Sequence, residues 1–208
     1  MRLFPCGRVV SCPIRKFKLR KNVAFHSNAF FTPTRLFNAD DVVYTFKSQL
    51  DTKHPLTIPA ANYEYFKAME LDQLITDIKK VDDYTVTFTL NKPEAPFLAN
   101  LAMDFASIQS EEYAQFLIKS GKGLKTLETA PIGTGPFVFK SYQKDSVVRF
   151  KAFEQYYKGK PKIENLTYVI VTDSTVRLQK MKAGECHVMS EPQPQDLEQI
   201  KTFKNVKL

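Results

Sequence analysis

The chain has no tryptophan, three cysteines and three histidines in 208 residues, and each scarcity removes a class of protein. Cys6, Cys12 and Cys186 are too few and too unevenly spaced for a disulfide-stapled scaffold or a zinc site, and His26, His54 and His187 are scattered. No stretch approaches the roughly 20 apolar residues that span a bilayer. Leu3–Cys12 is short and broken by Pro5, Gly7 and Arg8, so it lacks the apolar centre of a signal peptide. Acids are missing from the first 22 residues, where Arg2, Arg8, Arg15, Lys16, Lys18, Arg20 and Lys21 supply seven of the eight net positive charges. A duplex-binding face needs cations clustered through the fold to neutralise several phosphates. Beyond Asn22 the charges alternate in sign, as in Lys79, Lys80, Asp82 and Asp83, which is the pattern of a solvated mixed surface. A stand-alone basic module for nucleic acid or another polyanion is therefore the competing class, and no nucleic-acid partner is expected.

What is present is a chain with enough apolar residues to bury a core unaided. Phe17, Leu19, Val23 and Phe25 have an extended, alternating spacing. Asn38 is a good N-cap and Asp40 and Asp41 favour the positive end of the helix dipole, so Val42, Val43, Phe46 and Leu50 predict a helix over 39–50. Residues 63–78 read as helical in pieces, with Tyr65, Phe66, Met69, Leu71, Leu74, Ile75 and Ile78 inward. Thr85–Leu90 alternates as a strand. A short helix follows Pro93, and Ser110 caps a helix over 111–120 that Gly121 ends. Strands are expected over 137–142, 147–153 and 166–171. Asp173 caps a helix over 174–183, with Val176, Leu178 and Met181 inward. A short strand over 186–189, a helix from Pro194 and a strand start at Asn205 complete the series. This alternation in the last third predicts a parallel sheet with right-handed crossovers; the middle reads as a mixed α+β unit.

Chemistry-bearing residues have plain structural readings. Gly133-Thr134-Gly135 runs into Pro136 and a strand, not into the Gly-Lys-Ser/Thr and helix of a phosphate loop. Asp40-Asp41 and Asp82-Asp83 occupy a helix start and a strand-entry turn, positions that favour acids without acid–base or metal chemistry. His26 beside Ser27, and His187 beside Cys186, come without an orienting acid at sensible spacing. The expectation is that the chain is not an enzyme and carries no cofactor or metal. Tyr63, Tyr65 and Phe66 form a dense aromatic group next to a proline-containing loop; they read either as core packing or as the lining of an apolar ligand cleft.

Several blocks resemble one family. Phe17–His26 and Phe37-Asn38-Ala39-Asp40-Asp41-Val42-Val43-Tyr44-Thr45-Phe46 are similar to the signature region of bacterial family 5 solute-binding proteins, the ligand receptors of ATP-driven importers. Tyr63–Phe66, Asn91–Ala99, Met103–Ile108, Pro131–Phe137, Tyr156–Ile163 and Gly184–Met189 agree, and together they resemble most the dipeptide-binding type and its haem- or glutathione-binding relatives. The resemblance runs from about Lys16 to Leu208. It implies part of the first lobe of a class II periplasmic-binding-protein fold, α/β and α+β mixed. The implied organisation is a non-family basic segment 1–15, an α+β subdomain 16–132 and an α/β part of the lobe sheet 133–208. It further implies a peptide, glutathione or haem ligand, an inner-membrane permease as partner, and the periplasm as the parent family's compartment. Tyr63 and Tyr65 are the candidate ligand contacts. The family position that Cys186 resembles is disulfide-bonded to a cysteine near the mature N-terminus, in a segment missing here. The family's charged ligand anchors are implied to lie mainly in the second lobe. On this reading the chain as written stays in the cytoplasm, leaves a sheet edge open, and binds such ligands weaker by roughly two to four decades for two lost ionic anchors.

Overall fold

In Thr85–Leu90 (β4) every second side chain is apolar, and Val86, Phe88 and Leu90 are buried. The computed structural model describes residues 2–3, 13–59, 61–204 and 206–207; Cys6 and Cys12 lie outside them. Together with Arg2–Leu3 (β1), Ile14–Lys18 (β2) and Ile75–Asp82 (β3), β4 forms a four-stranded sheet of order β1-β2-β4-β3, each neighbouring pair antiparallel. The expected helix over 63–78 appears only as Glu64–Ala68 (α2) and Leu71–Leu74 (α3). Glu70, at φ +53°, separates them, and from Ile75 the chain is strand. The helix-like spacing of Ile75 and Ile78 has a different cause. The register shifts between Ile75 and Asp77, so Ile75 opposes Leu90 and Ile78 opposes Phe88, and both face the core although three residues apart. Phe66 is buried, whereas Tyr65 and Met69, expected inward, are exposed; a five-residue helix has room to bury one side of its single turn.

Ala39–Leu50 (α1) lies over the sheet. Asn38 caps it through a capping box with Asp41, and Val42 and Phe46 point into the core. Phe88 is the centre of that core: its ring meets Phe17, Phe46 and Phe97 edge-on at centroid distances of 5.3, 5.0 and 5.9 Å. Phe97–Asn100 (α4), Glu111–Lys119 (α5) and Thr126–Thr129 (α6) complete the α-helices of this part. Ser110 caps α5 by accepting from Tyr113 N, and Gly121 follows it at φ +71°, a conformation that glycine adopts without strain.

The chain divides into two units, Met1–Phe139 with Lys151–Glu164, and Lys140–Phe150 with Asn165–Leu208. Phe137–Gln143 (β5), Val147–Ala152 (β6) and Asn165–Val169 (β7) form a sheet of order β5-β6-β7. The parallel sheet expected of segments 166–171, 186–189 and 205–208 is not found among the described residues, where no strand follows β7. Ala152 N donates to Glu164 O and Ile170 N to Ser146 O, which makes β6 and β7 antiparallel; the segment between them carries no helix to return the chain for a parallel pair. Asp173 caps Ser174–Lys182 (α7) by accepting from Val176 N at 2.8 Å. Leu178 and Met181 are buried and Val176, expected inward, is exposed. Residues 186–189 are not a strand: no strand lies beside them among the described residues, and Val188 is 83% exposed. Leu197–Lys201 (α8) follows a single 3-10 turn at Pro194. The strand start expected at Asn205 falls partly outside the described residues.

Candidate functional site

Asp41 is fully buried, and a buried carboxylate must find partners for both oxygens. Its Oδ2 accepts from Asn38 N at 3.0 Å and Arg35 Nη1 at 2.8 Å; its Oδ1 accepts from Arg35 Nη2 at 2.9 Å and Glu111 N at 2.9 Å. The carboxylate thus ties the starts of α1 and α5 to the loop carrying Arg35. Burial alone would lower the Arg35 pKa; the hydrogen bond and charge of Asp41, with Glu111 and Glu112 nearby, outweigh it and raise the value. Sequence reasoning missed Arg35, because it lies in the loop before α1, six positions ahead of Asp41, and no periodicity links them. Asp40 and Asp83 both bind Lys80, at 2.9 and 2.8 Å, and Asp82 accepts from Tyr84 N. The acidic pairs are helix-start and turn structure, and no group of three metal-ligating side chains occurs among the described residues.

His26 is buried and clamps the glycine turn. Its backbone N–H donates to Gly133 O at 2.8 Å. Gly133 N donates to its Nδ1 at 3.2 Å, so the ring proton sits on Nε2, which donates to Gly135 O at 2.8 Å. The edge of the ring meets Phe153 at 4.6 Å. With both nitrogens engaged by backbone, the ring positions the Pro131–Phe137 turn and does not serve Ser27 as a base.

That turn borders an apolar cavity of about 300 Å³ inside the first unit, whose apolar wall includes Val23, Phe37, Val42, Phe46 and Phe88. Arg20, Thr134 and Tyr157 supply its polar groups, and the Arg20 guanidinium lies 4.7 Å from the centre of the Tyr157 ring. No sequence signal marks this cavity, since its wall is drawn from segments more than a hundred residues apart.

Tyr63 and Tyr65 do not line it. Tyr63 precedes α2 at φ +37°, half-buried against the main core. Burial pushes its phenol up, partly offset by hydrogen bonds with Ile58 and Ser48. Tyr65 is 61% exposed. Cys186 is half-buried with no disulfide partner among the described residues, and His187 beside it is exposed. They border a depression of about 970 Å³ in the second unit, with Met181, Ile200 and Phe203.

The family model for the middle region of bacterial extracellular solute-binding proteins, family 5, matches residues 15–208. The chain is 51% identical over 191 residues to di/tripeptide-binding protein 4 of Pseudomonas aeruginosa, covering 91% of this chain and 36% of that protein. It is 48% identical over 193 residues to heme-binding protein A of Haemophilus influenzae, covering 92% and 35%. The solved structure of HbpA2 from Haemophilus parasuis superposes with a TM-score of 0.89 at 45% identity, covering 98% of this chain and 39% of that one. The chain thus spans about a third of the length of the curated relatives it matches.

Proposed function

The chain belongs to family 5 of the bacterial extracellular solute-binding proteins, and from that premise we propose that it forms part of the first lobe of the ligand receptor of an ATP-driven importer for di- or tripeptides, haem or glutathione. The observation that carries this reading is identity near 50% along nine-tenths of the chain to di/tripeptide- and heme-binding proteins. The role is capture, not turnover: His26 and Asp41, two buried polar side chains, are consumed by backbone and by Arg35. The complete receptor works in the periplasm and hands its ligand to an inner-membrane permease. The present residues contribute one wall of the ligand enclosure, with the exposed ring of Tyr65, and Tyr63 beside it, as its contacts. Exposed aromatic rings suit this task because they offer apolar area at small entropic cost.

A transplant tests it. Residues 15–208 replace the matching segment of the P. aeruginosa di/tripeptide-binding protein 4, and the chimera is supplied to a strain lacking its own di/tripeptide-binding proteins. Growth on a dipeptide as sole nitrogen source is expected. A chimera that is stable in the periplasm yet supports no growth contradicts the reading.

A further inference from the structure

Among the described residues, Asn22, Tyr63, Glu70, Asp145 and Glu191 have positive φ without being glycine. Asparagine and aspartate enter the left-handed region most readily; for a bulky residue such as Tyr63 it is an outlier that the surroundings must enforce. Two of the other three, Tyr63 at φ +37° and Glu70 at φ +53°, bracket the five residues of α2. Both turns are tied into the hydrogen bonding beside them. Tyr63 O accepts from Lys67 N at 3.1 Å and opens α2. Glu70 N donates to Lys67 O at 2.8 Å, and Glu70 O accepts from Leu74 N at 2.9 Å and opens α3. The core holds the chain on either side: Tyr63 packs against it, and Phe66, Leu71 and Leu74 belong to it.

Between these turns one side chain sets the rotation of α2. Phe66 is fully buried and meets Phe105 edge-on at 5.9 Å. Successive residues of an α-helix stand about 100° apart, so with Phe66 inward Tyr65 is carried to the flank of the helix. A single turn of helix cannot hold its own direction; the axis of α2 is given by the backbone at its two ends. Resting on the reading of Tyr65 as a ligand contact, we infer that the left-handed turns at Tyr63 and Glu70 aim α2, and through it the ring of Tyr65, at the ligand. Glu70, which touches no ligand in that reading, is thus a positioning residue. Its backbone conformation, and not its carboxylate, does the positioning.

The test is calorimetry on the complete receptor that carries residues 15–208 in place of the matching segment of the P. aeruginosa di/tripeptide-binding protein 4. Alanyl-phenylalanine is the probe, and the thermal midpoint of each variant is measured beside it. Glu70→Val puts a β-branched side chain where left-handed backbone is needed, and weakens binding about tenfold or more, as Tyr65→Ala does. Combined with Tyr65→Ala it adds less than about twofold, because it acts only through that ring. Glu70→Gly takes the same turn without strain, so it retains the affinity and raises the midpoint. If Tyr65→Ala weakens binding and Glu70→Val does not, the positioning role is refuted and the ligand contact stands; if Tyr65→Ala leaves the affinity unchanged, both are refuted. A Glu70→Val receptor that does not fold, a loss that is undiminished on the Tyr65→Ala background, or a midpoint lowered by Glu70→Gly would each overturn the positioning role as well.

Discussion

Replacing Asp41 by Asn isolates the most heavily bonded side chain in the first unit. The substitution keeps the shape and one acceptor but turns the other oxygen into a donor. That donor then faces Arg35 and Asn38 N, or Arg35 and Glu111 N, whichever way the amide lies. Breaking a buried pair by removing one partner costs about 3–5 kcal/mol. The Arg35 side chain is 28% exposed and recovers some hydration, which brings the expected loss to about 2–4 kcal/mol. Against total stabilities of about 5–15 kcal/mol that is a large share. At a urea dependence of about 2–3 kcal/mol/M the unfolding midpoint falls by roughly 1 M. Asp40→Asn is the control: its bond to Lys80 is half exposed, and such pairs are worth about 1 kcal/mol or less. Urea titrations followed by circular dichroism measure both. If Asp41→Asn shifts the midpoint no more than Asp40→Asn, the network is not what joins α1 to α5.

Three further outcomes follow from the same structure. Phe88→Ala empties the centre of the aromatic core and is expected to cost about 3–5 kcal/mol, read as a fall in the thermal midpoint larger than for any exposed phenylalanine such as Phe30. His26→Ala removes the two side-chain bonds to the glycine turn, for about 2–3 kcal/mol, and the Gly133 amide, deprived of its acceptor, exchanges its hydrogen faster. Tyr44 is held above the ordinary tyrosine range, chiefly by burial, with Tyr63 and Glu111 adding to it. Its phenol ionises in the unfolded chain at about pH 10 while the folded one stays protonated, so the stability present below pH 10 is lost as pH rises beyond it; Tyr44→Phe flattens that alkaline loss in a denaturation series.

Much of the fold was legible because local signals and tertiary contacts agree. Asn38 with Asp41, Ser110 and Asp173 each cap the helix expected of them, and the alternation of β4 is a buried strand. Where they disagree, pairing won. Ile75 and Ile78 have helical spacing but belong to a strand whose register shift does the same geometric work. Cys186–Met189 has strand-like residues and no neighbour to pair with among the described residues. The cavity and the Arg35–Asp41 bond were illegible for another reason: they join residues with no fixed sequence offset, which only the folded backbone brings together. The exposed ring of Tyr65 could be nominated from its aromatic neighbours, but composition alone did not separate a cleft wall from core packing.

The central claim, that these residues build one wall of a peptide-binding receptor, is tested most directly by calorimetry on the purified chimera of residues 15–208 within the P. aeruginosa relative. The account predicts a single dipeptide site of about micromolar affinity, roughly −8 kcal/mol, weakened by at least tenfold in Tyr65→Ala. A folded chimera that gives no heat with any di- or tripeptide, or one whose affinity ignores Tyr65, would contradict it.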